Sequence, residues 1–180
     1  TNDVAVGGAA AASGGQSVAV GLLSKASALR AVAVGNGAQA SNIDAVAIGR
    51  DSEADALSAT ALGDRAKARG TQSLALASAA EAEGYQAVAV GTRAVSNAVN
   101  SVALGVESSA TALNGLAVGT SSSVRKEGGT AVGGGASALE EKSLALGFQA
   151  KGKAEKGVAL GAQSIADLAA GQAGYDFATQ

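Results

Sequence analysis

Small and large apolar side chains alternate along this chain with a period of fourteen residues. The pentapeptide Ser17-Val18-Ala19-Val20-Gly21 recurs as Ala31-Val32-Ala33-Val34-Gly35 and Ala45-Val46-Ala47-Ile48-Gly49, and again as Ser101-Val102-Ala103-Leu104-Gly105. Its closing glycine falls at 7, 21, 35, 49, 63, 91, 105, 119, 133, 147 and 161, without insertion or deletion, and Ala77 occupies the same column. The alanine at its centre is present in all twelve copies, from Ala5 to Ala159. The second half of each unit alternates too. Small residues stand three and five positions after the glycine, as in Ser24 and Ala26, Ala38 and Ala40, or Ala66 and Ala68; Val124 and Gly152 depart from the second of these columns. The position between them is variable and often charged: Lys25, Gln39, Glu53, Lys67, Glu81, Lys151. A period of two is the mark of a strand with one buried face. Each unit therefore predicts two short strands joined by two turns.

Fourteen residues at roughly 3.3 Å each make a perimeter of about 46 Å, enough for two strands of about five residues and two tight corners. Successive coils stack at about 4.8 Å, so equivalent residues pair in parallel sheets and twelve coils make a rod of roughly 55–60 Å. The fold class is all-β, a parallel β-roll or solenoid of fourteen-residue coils, over residues 1–166. Residues 167–180, where Tyr175 stands at the glycine column and Phe177 follows, read as a terminal cap or a boundary to a following module. The columnar residues Gly21, Gly35, Gly49, Gly63, Gly91 and Gly105 are expected at corners with positive φ. Ala77 is then a strained or reshaped corner.

Periodicity does not say which face of the Val-Ala-Val strand points inward. The expectation taken here is that the large residues fill the roll: Val18, Val20, Val32, Val34, Val46, Ile48, Val88, Val90, Val102 and Leu104. The stripe Ala19, Ala33, Ala47, Ala61, Ala75, Ala89, Ala103 and Ala117 then faces out. An outward column that is always small suits the close approach of another backbone, so the chain is expected to pack as an oligomer along it. Large residues eight after the glycine (Leu29, Ile43, Leu57, Tyr85, Val99, Leu113) are candidates to complete that interface, or to cover a corner of the roll.

Composition narrows the functions. Ala and Gly fill 46 and 26 of 180 positions, and aromatics make up 2%. A conventional globular core needs more large side chains than this. No Pro and no Gly-X-Y period exclude collagen. With 47% hydrophobic and 16% charged residues, gross disorder is not expected. A net charge of −2 gives no electrostatic reason to bind nucleic acid. No apolar run is long enough for a helical bilayer span, so no direct membrane insertion is expected. Thr1-Asn2-Asp3 has no initiator Met and no secretory-signal pattern, which reads as an excised or processed segment.

Catalysis has little to work with. The chain contains no His and no Cys, which removes the commonest general base and the thiolate nucleophile. Column serines such as Ser17, Ser73, Ser101 and Ser143 are repeat positions. The glycines lack the Lys-Ser/Thr continuation of a phosphate loop. Glu127, Glu141 and Glu155 stack in one column, with Lys142 and Lys156 beside two of them; this reads as a solvated ridge, and no calcium-loop pattern occurs. No catalytic, cofactor or metal residue is assigned. Cross-coil ion pairs are expected between Arg50 and Asp64, Asp51 and Arg65, Asp55 and Arg69, and Arg93 and Glu107. Glu53, Lys67 and Glu81 are expected to form an alternating ladder, and Gln72, Gln86, Asn100 and Asn114 a stacked amide ladder.

The unit [Ser/Ala]-Val-Ala-[Val/Ile/Leu]-Gly-x-x-[Ser/Ala]-x-Ala, repeated every fourteen residues, resembles the YadA-like head of trimeric autotransporter adhesins. The resemblance covers residues 1 to about 166. It implies a left-handed roll, assembly as a homotrimer, and display on the outer membrane of a Gram-negative bacterium. It also implies adhesion to host extracellular matrix, host cells or other bacteria. Asn before the Ser of the pentapeptide, frequent in that family, is clearly kept only at Asn100. The sequence alone also admits a non-adhesive spacer of the same fibre. An ice-type surface-binding solenoid would need a regular Thr column, and Thr is scattered here.

Overall fold

The computed structural model describes residues 2–168. Each fourteen-residue unit forms one coil with a three-residue strand and a two-residue strand. The longer strands run from Val4–Val6 to Val158–Leu160, and the shorter ones from Ala11–Ala12 to Ile165–Ala166. They form two twelve-stranded sheets, each ordered strictly along the chain. All pairing is parallel, and the register is the repeat itself: Ala19 pairs with Ala33, Ala33 with Ala47, and Lys67 with Glu81. This is a parallel β-solenoid of about twelve turns.

Hydrogen bonds between coils continue through the corners. Val32 N donates to Ala45 O at 2.9 Å in the sheet, and Gly35 N donates to Val20 O at 2.8 Å at the corner. Two further corner positions in most coils are left-handed. Arg30 has φ +58 and Leu23 +57, and their N–H groups donate to Gly15 O (3.0 Å) and Gly8 O (2.9 Å). A left-handed turn costs a residue with a Cβ about 1 kcal/mol or more. Here it aims an N–H along the rod at the preceding coil, and the hydrogen bond offsets the cost.

The corner glycines cannot easily be replaced. Gly21, Gly35, Gly49, Gly63, Gly91 and Gly105 have φ between +128 and +135. A Cβ at Gly49 would lie 2.3 Å from the carbonyl oxygen of Gly63 in the next coil. Ala77, in the same column, sits at φ +108, displaced from its glycine neighbours. Backbone strain of this kind costs about 1–3 kcal/mol, and glycine loses about 0.5–1 kcal/mol in unfolded-state entropy. Ala77→Gly should therefore stabilise the protein by about 1 kcal/mol, read as a raised thermal midpoint at fixed concentration.

The core reverses the expected facing of the longer strand. Ala19, Ala33, Ala47, Ala61, Ala75, Ala89, Ala103 and Ala117 are all 0% exposed in the single chain, so they line the interior of the roll rather than an outer stripe. Val18, Val20, Val32, Val34, Val46, Val88, Val90, Val102 and Leu104 point outward and are half-buried, and Ile48 is exposed. The reason is space. Four inward positions per coil come from the two strands, and all are small: Ala45, Ala47, Ser52 and Ala54 in one coil, Ala59, Ala61, Ala66 and Ala68 in the next, each at 0% exposure. The two sheets close mainly on alanine methyls and serine side chains, and the strand alternation then sends both large residues out.

Departures within the core are compensated across the roll. Val124 is the largest fully buried side chain. Facing it are Gly115 and Gly129, where a Cβ would lie 2.9 Å from Val124 Cγ1 in each case. Gly152 is complementary: a Cβ there would meet Ser143 Cβ at 2.9 Å. Ser96 and Ser101 instead share a 2.6 Å hydroxyl hydrogen bond across the interior. Gly129→Ala should cost about 1–3 kcal/mol by overpacking. The same change in a Val124→Ala background should cost much less. Thermal or denaturant unfolding of the two single variants and the double variant checks this coupling.

Candidate functional site

With the small columns inside, the chain's chemistry lies on the outside. The longer strands present two adjacent columns of Val, Leu, Ile and Thr along the rod. The shorter strands and the corners present the charges. Leu29, Ile43, Leu57, Tyr85, Val99 and Leu113 are exposed corner residues, each 38–47% accessible, in a ridge of their own.

Serines at the first small column after the glycine finish the corner. The hydroxyls of Ser24, Ser52, Ser108 and Ser122 donate to the carbonyls of Gly21, Gly49, Gly105 and Gly119 at 2.8–3.0 Å. They are structural donors. The pentapeptide serines do similar work, Ser101 and Ser143 donating to Ala98 O and Glu140 O at 2.7 Å. Ser73 Oγ is buried without a partner.

The charge columns pair partly as expected. Arg50 Nε meets Asp64 Oδ1 at 2.7 Å, and Arg93 meets Glu107. Arg65 turns to Asp64 at 3.2 Å rather than to Asp51. Arg69 reaches Asp55 only at 4.0 Å and lies closer to Glu53 (2.5 Å) and Glu83 (3.2 Å). Lys67 meets Glu81 at 3.5 Å, so the three-residue ladder closes on one side and Glu53 goes to Arg69. The amide column forms two separate pairs, Gln72 with Gln86 at 3.0 Å and Asn100 with Asn114 at 3.2 Å. Sequence reasoning missed Arg30–Asp44, a two-point contact that includes Arg30 Nη2 to Asp44 Oδ2 at 2.7 Å. The signal was present, since these residues too are fourteen apart. Glu155 pairs with its neighbour Lys156 at 3.1 Å. Among the described residues, no group of three acidic residues is placed to hold a metal ion, and no helix is long and apolar enough to cross a membrane.

The ion pairs fix the acid response. Hydrogen bonds from Arg30 and Arg50 hold the Asp44 and Asp64 carboxyls below their ordinary range. A carboxyl with a lowered folded pKa adds stability above its unfolded value, about 3.9. That stability is lost as the pH falls through the lower folded value. The thermal midpoint should therefore be insensitive to these groups above about pH 5 and fall on acidification below it. Asp44→Asn should flatten that fall. Because the pairs are exposed, the effect should be small and weaker at high salt.

A concavity of about 530 Å³ lies on the charged surface. Ala79 lines it, in a corner column that reads Asp51, Arg65, Arg93 and Glu107 in nearby coils and Ala9, Gly37, Ser121 and Gly135 in others. Ser78 and Thr92 line it beside Arg65, Lys67, Glu81 and Arg93.

A family model described as "YadA head domain repeat (2 copies)" matches residues 1–24, 26–52, 54–76, 78–94, 82–108, 96–122 and 125–150. These matches span well over half of the chain. The chain belongs to the YadA head repeat family. Its repeats are those of a head fragment of a trimeric autotransporter adhesin, a family and solenoid of adhesin type rather than of enzymes. A search of curated proteins gave no match. In this YadA head fragment Ala79 lies within the matched segment 78–94, and Ala77 falls between that segment and 54–76.

Proposed function

We propose that this YadA head fragment is the adhesive rod of a homotrimer, wound left-handed as the family implies. It would be displayed as a surface passenger of a Gram-negative outer-membrane autotransporter, and would attach to host extracellular matrix, host cells or other bacteria. The chains meet along the outward Val and Leu columns, not along the alanines. The observation that carries this is the pair of outward columns, mostly Val and Leu with Ile48, Thr60 and Thr130 among them, that run along the rod half-buried in most inner coils and exposed in the first and last, because an apolar strip of that length on the surface marks an interaction face. Adhesion falls to the polar second sheet and corners, where weak contacts repeated along three chains combine by avidity. Residues 167–180 serve as a cap or a junction to the next module; from 169 onward they lie outside the described residues.

Light scattering on the purified chain should give about three times its 17.0 kDa mass. The same sample should then be offered to cells and to matrix-coated surfaces. Retention on either supports the adhesin. A trimer that binds none of them would identify the segment as a spacer of the fibre.

A further inference from the structure

We propose that the cleft over Ala79 is a binding site for a carboxylate-bearing saccharide. The inference rests on the adhesin reading above and assigns a ligand class to one place on its outer surface.

The cleft lies where the short side chains of Ser78 and Ala79 fall between longer ones, Arg65 one coil before and Arg93 one coil after. Ala77 replaces the corner glycine, and Ser78-Ala79 replaces the long side chains found one coil away at Asp64-Arg65. Arg65 and Arg93 stand one coil before and one coil after Ala79, about 9–10 Å apart along the rod. Each guanidinium uses one nitrogen on an acidic neighbour, Arg65 Nε on Asp64 and Arg93 Nη2 on Glu107. Their side chains remain 62% and 64% exposed. A guanidinium carries five N–H donors in a planar fork, so most of each fork is open to a carboxylate entering between them.

The rest of the lining selects the remainder of the ligand. The Ser78 and Thr92 hydroxyls can donate to and accept from sugar hydroxyls, and the Glu81 carboxylate can accept from them. Ala79 is the one apolar side chain in the lining, so an apolar peptide side chain would gain nothing there. Acidic and basic residues are equal in number, three of each. A densely charged polyanion is therefore not drawn in by the local field, and the match is to a ligand with one carboxylate per several hydroxyls. Uronic acids and sialic acids share that chemistry.

The test is titration of the full trimeric chain, by calorimetry or ligand-observed NMR, with a hyaluronan hexasaccharide, 3′-sialyllactose, neutral lactose and an acidic peptide. Saturable binding of at least one acidic saccharide and none of lactose is expected; which of the two binds identifies the source. Ala79→Arg is the decisive variant. Arginine already occupies this left-handed position at Arg65 and Arg93, with φ +54 and +57, so the fold should accept it, as circular dichroism can verify. It adds a positive charge yet fills the cleft, and should weaken binding at least tenfold. Arg93→Gln should do the same without filling anything, and serves if Ala79→Arg fails to fold. Binding that is unchanged or strengthened in Ala79→Arg, equal binding of lactose, binding of the peptide alone, or no saturable saccharide binding would overturn the proposal. If Ala79→Arg chains lose the saccharide but still hold cells, the adhesin reading stands on other surfaces. If the saccharide site fails while the parent chain adheres, only this inference falls.

Discussion

Ala89→Leu is expected to abolish the folded rod. Ala89 is fully buried in the single chain and pairs with Ala75 and Ala103 in the neighbouring coils. Its side chain faces a wall made of other small residues, Ala80, Ala82, Ala94 and Ser96 among them, each fully buried. Overpacking an ordinary core costs about 1–3 kcal/mol because neighbours change rotamer. Alanine has no rotamer to change, so the whole demand falls on the sheet spacing, and the cost should exceed about 3 kcal/mol. The damage should not stay local, since every coil templates the next. Loss of the β-type circular dichroism spectrum and of cooperative melting is the expected result. Ala103→Leu should behave alike. A folded monomer from either variant would mean that the alanines lie between chains after all.

The second large effect concerns assembly. Leu74 and Val88 are paired neighbours in the outward column of the first sheet, both half-buried. Replacing both by Glu places like charges side by side within each chain and again between chains. Without desolvated partners the apolar strip cannot close. The double variant should lose the trimer, seen as a collapse of the light-scattering mass. Because each chain fully buries little beyond Ala and Ser, with Val124 the largest such side chain, the separated monomers should not hold a stable fold. Glu81→Gln on the second sheet, away from this strip, should leave the mass unchanged.

Much of this architecture can be read directly from the chain. The fourteen-residue beat fixes the coil, the two sheets, their parallel register and the place of the corner glycines, because each is a consequence of one spacing. The facing of the longer strand cannot be read that way. Alternation separates Val18 and Val20 from Ala19 without saying which side is enclosed, and the habit of placing large residues in cores points the wrong way here. A volume argument would have decided it. Ala47 and Ala54 belong to small columns on opposite sheets, and two small columns meet only if both face in. The compensation of Val124 by Gly115 and Gly129 carries the same message, since a larger residue in one column and vanished side chains in another imply contact between them. Individual ion pairs were less legible. Arg65 had Asp51 one coil away and Asp64 beside it, and Arg69 had three carboxylates in reach, so side-chain length rather than column membership chose the partner.

The claim that the large columns are where copies of the chain meet has a direct chemical test, helped by the absence of native cysteine. A single thiol introduced by Val88→Cys, in a sample whose solution mass is that of three chains, should react with an alkylating agent far more slowly than one introduced by Glu81→Cys. Equal rates at the two positions in an intact assembly would show that the Val and Leu face is open to water, and would contradict the account.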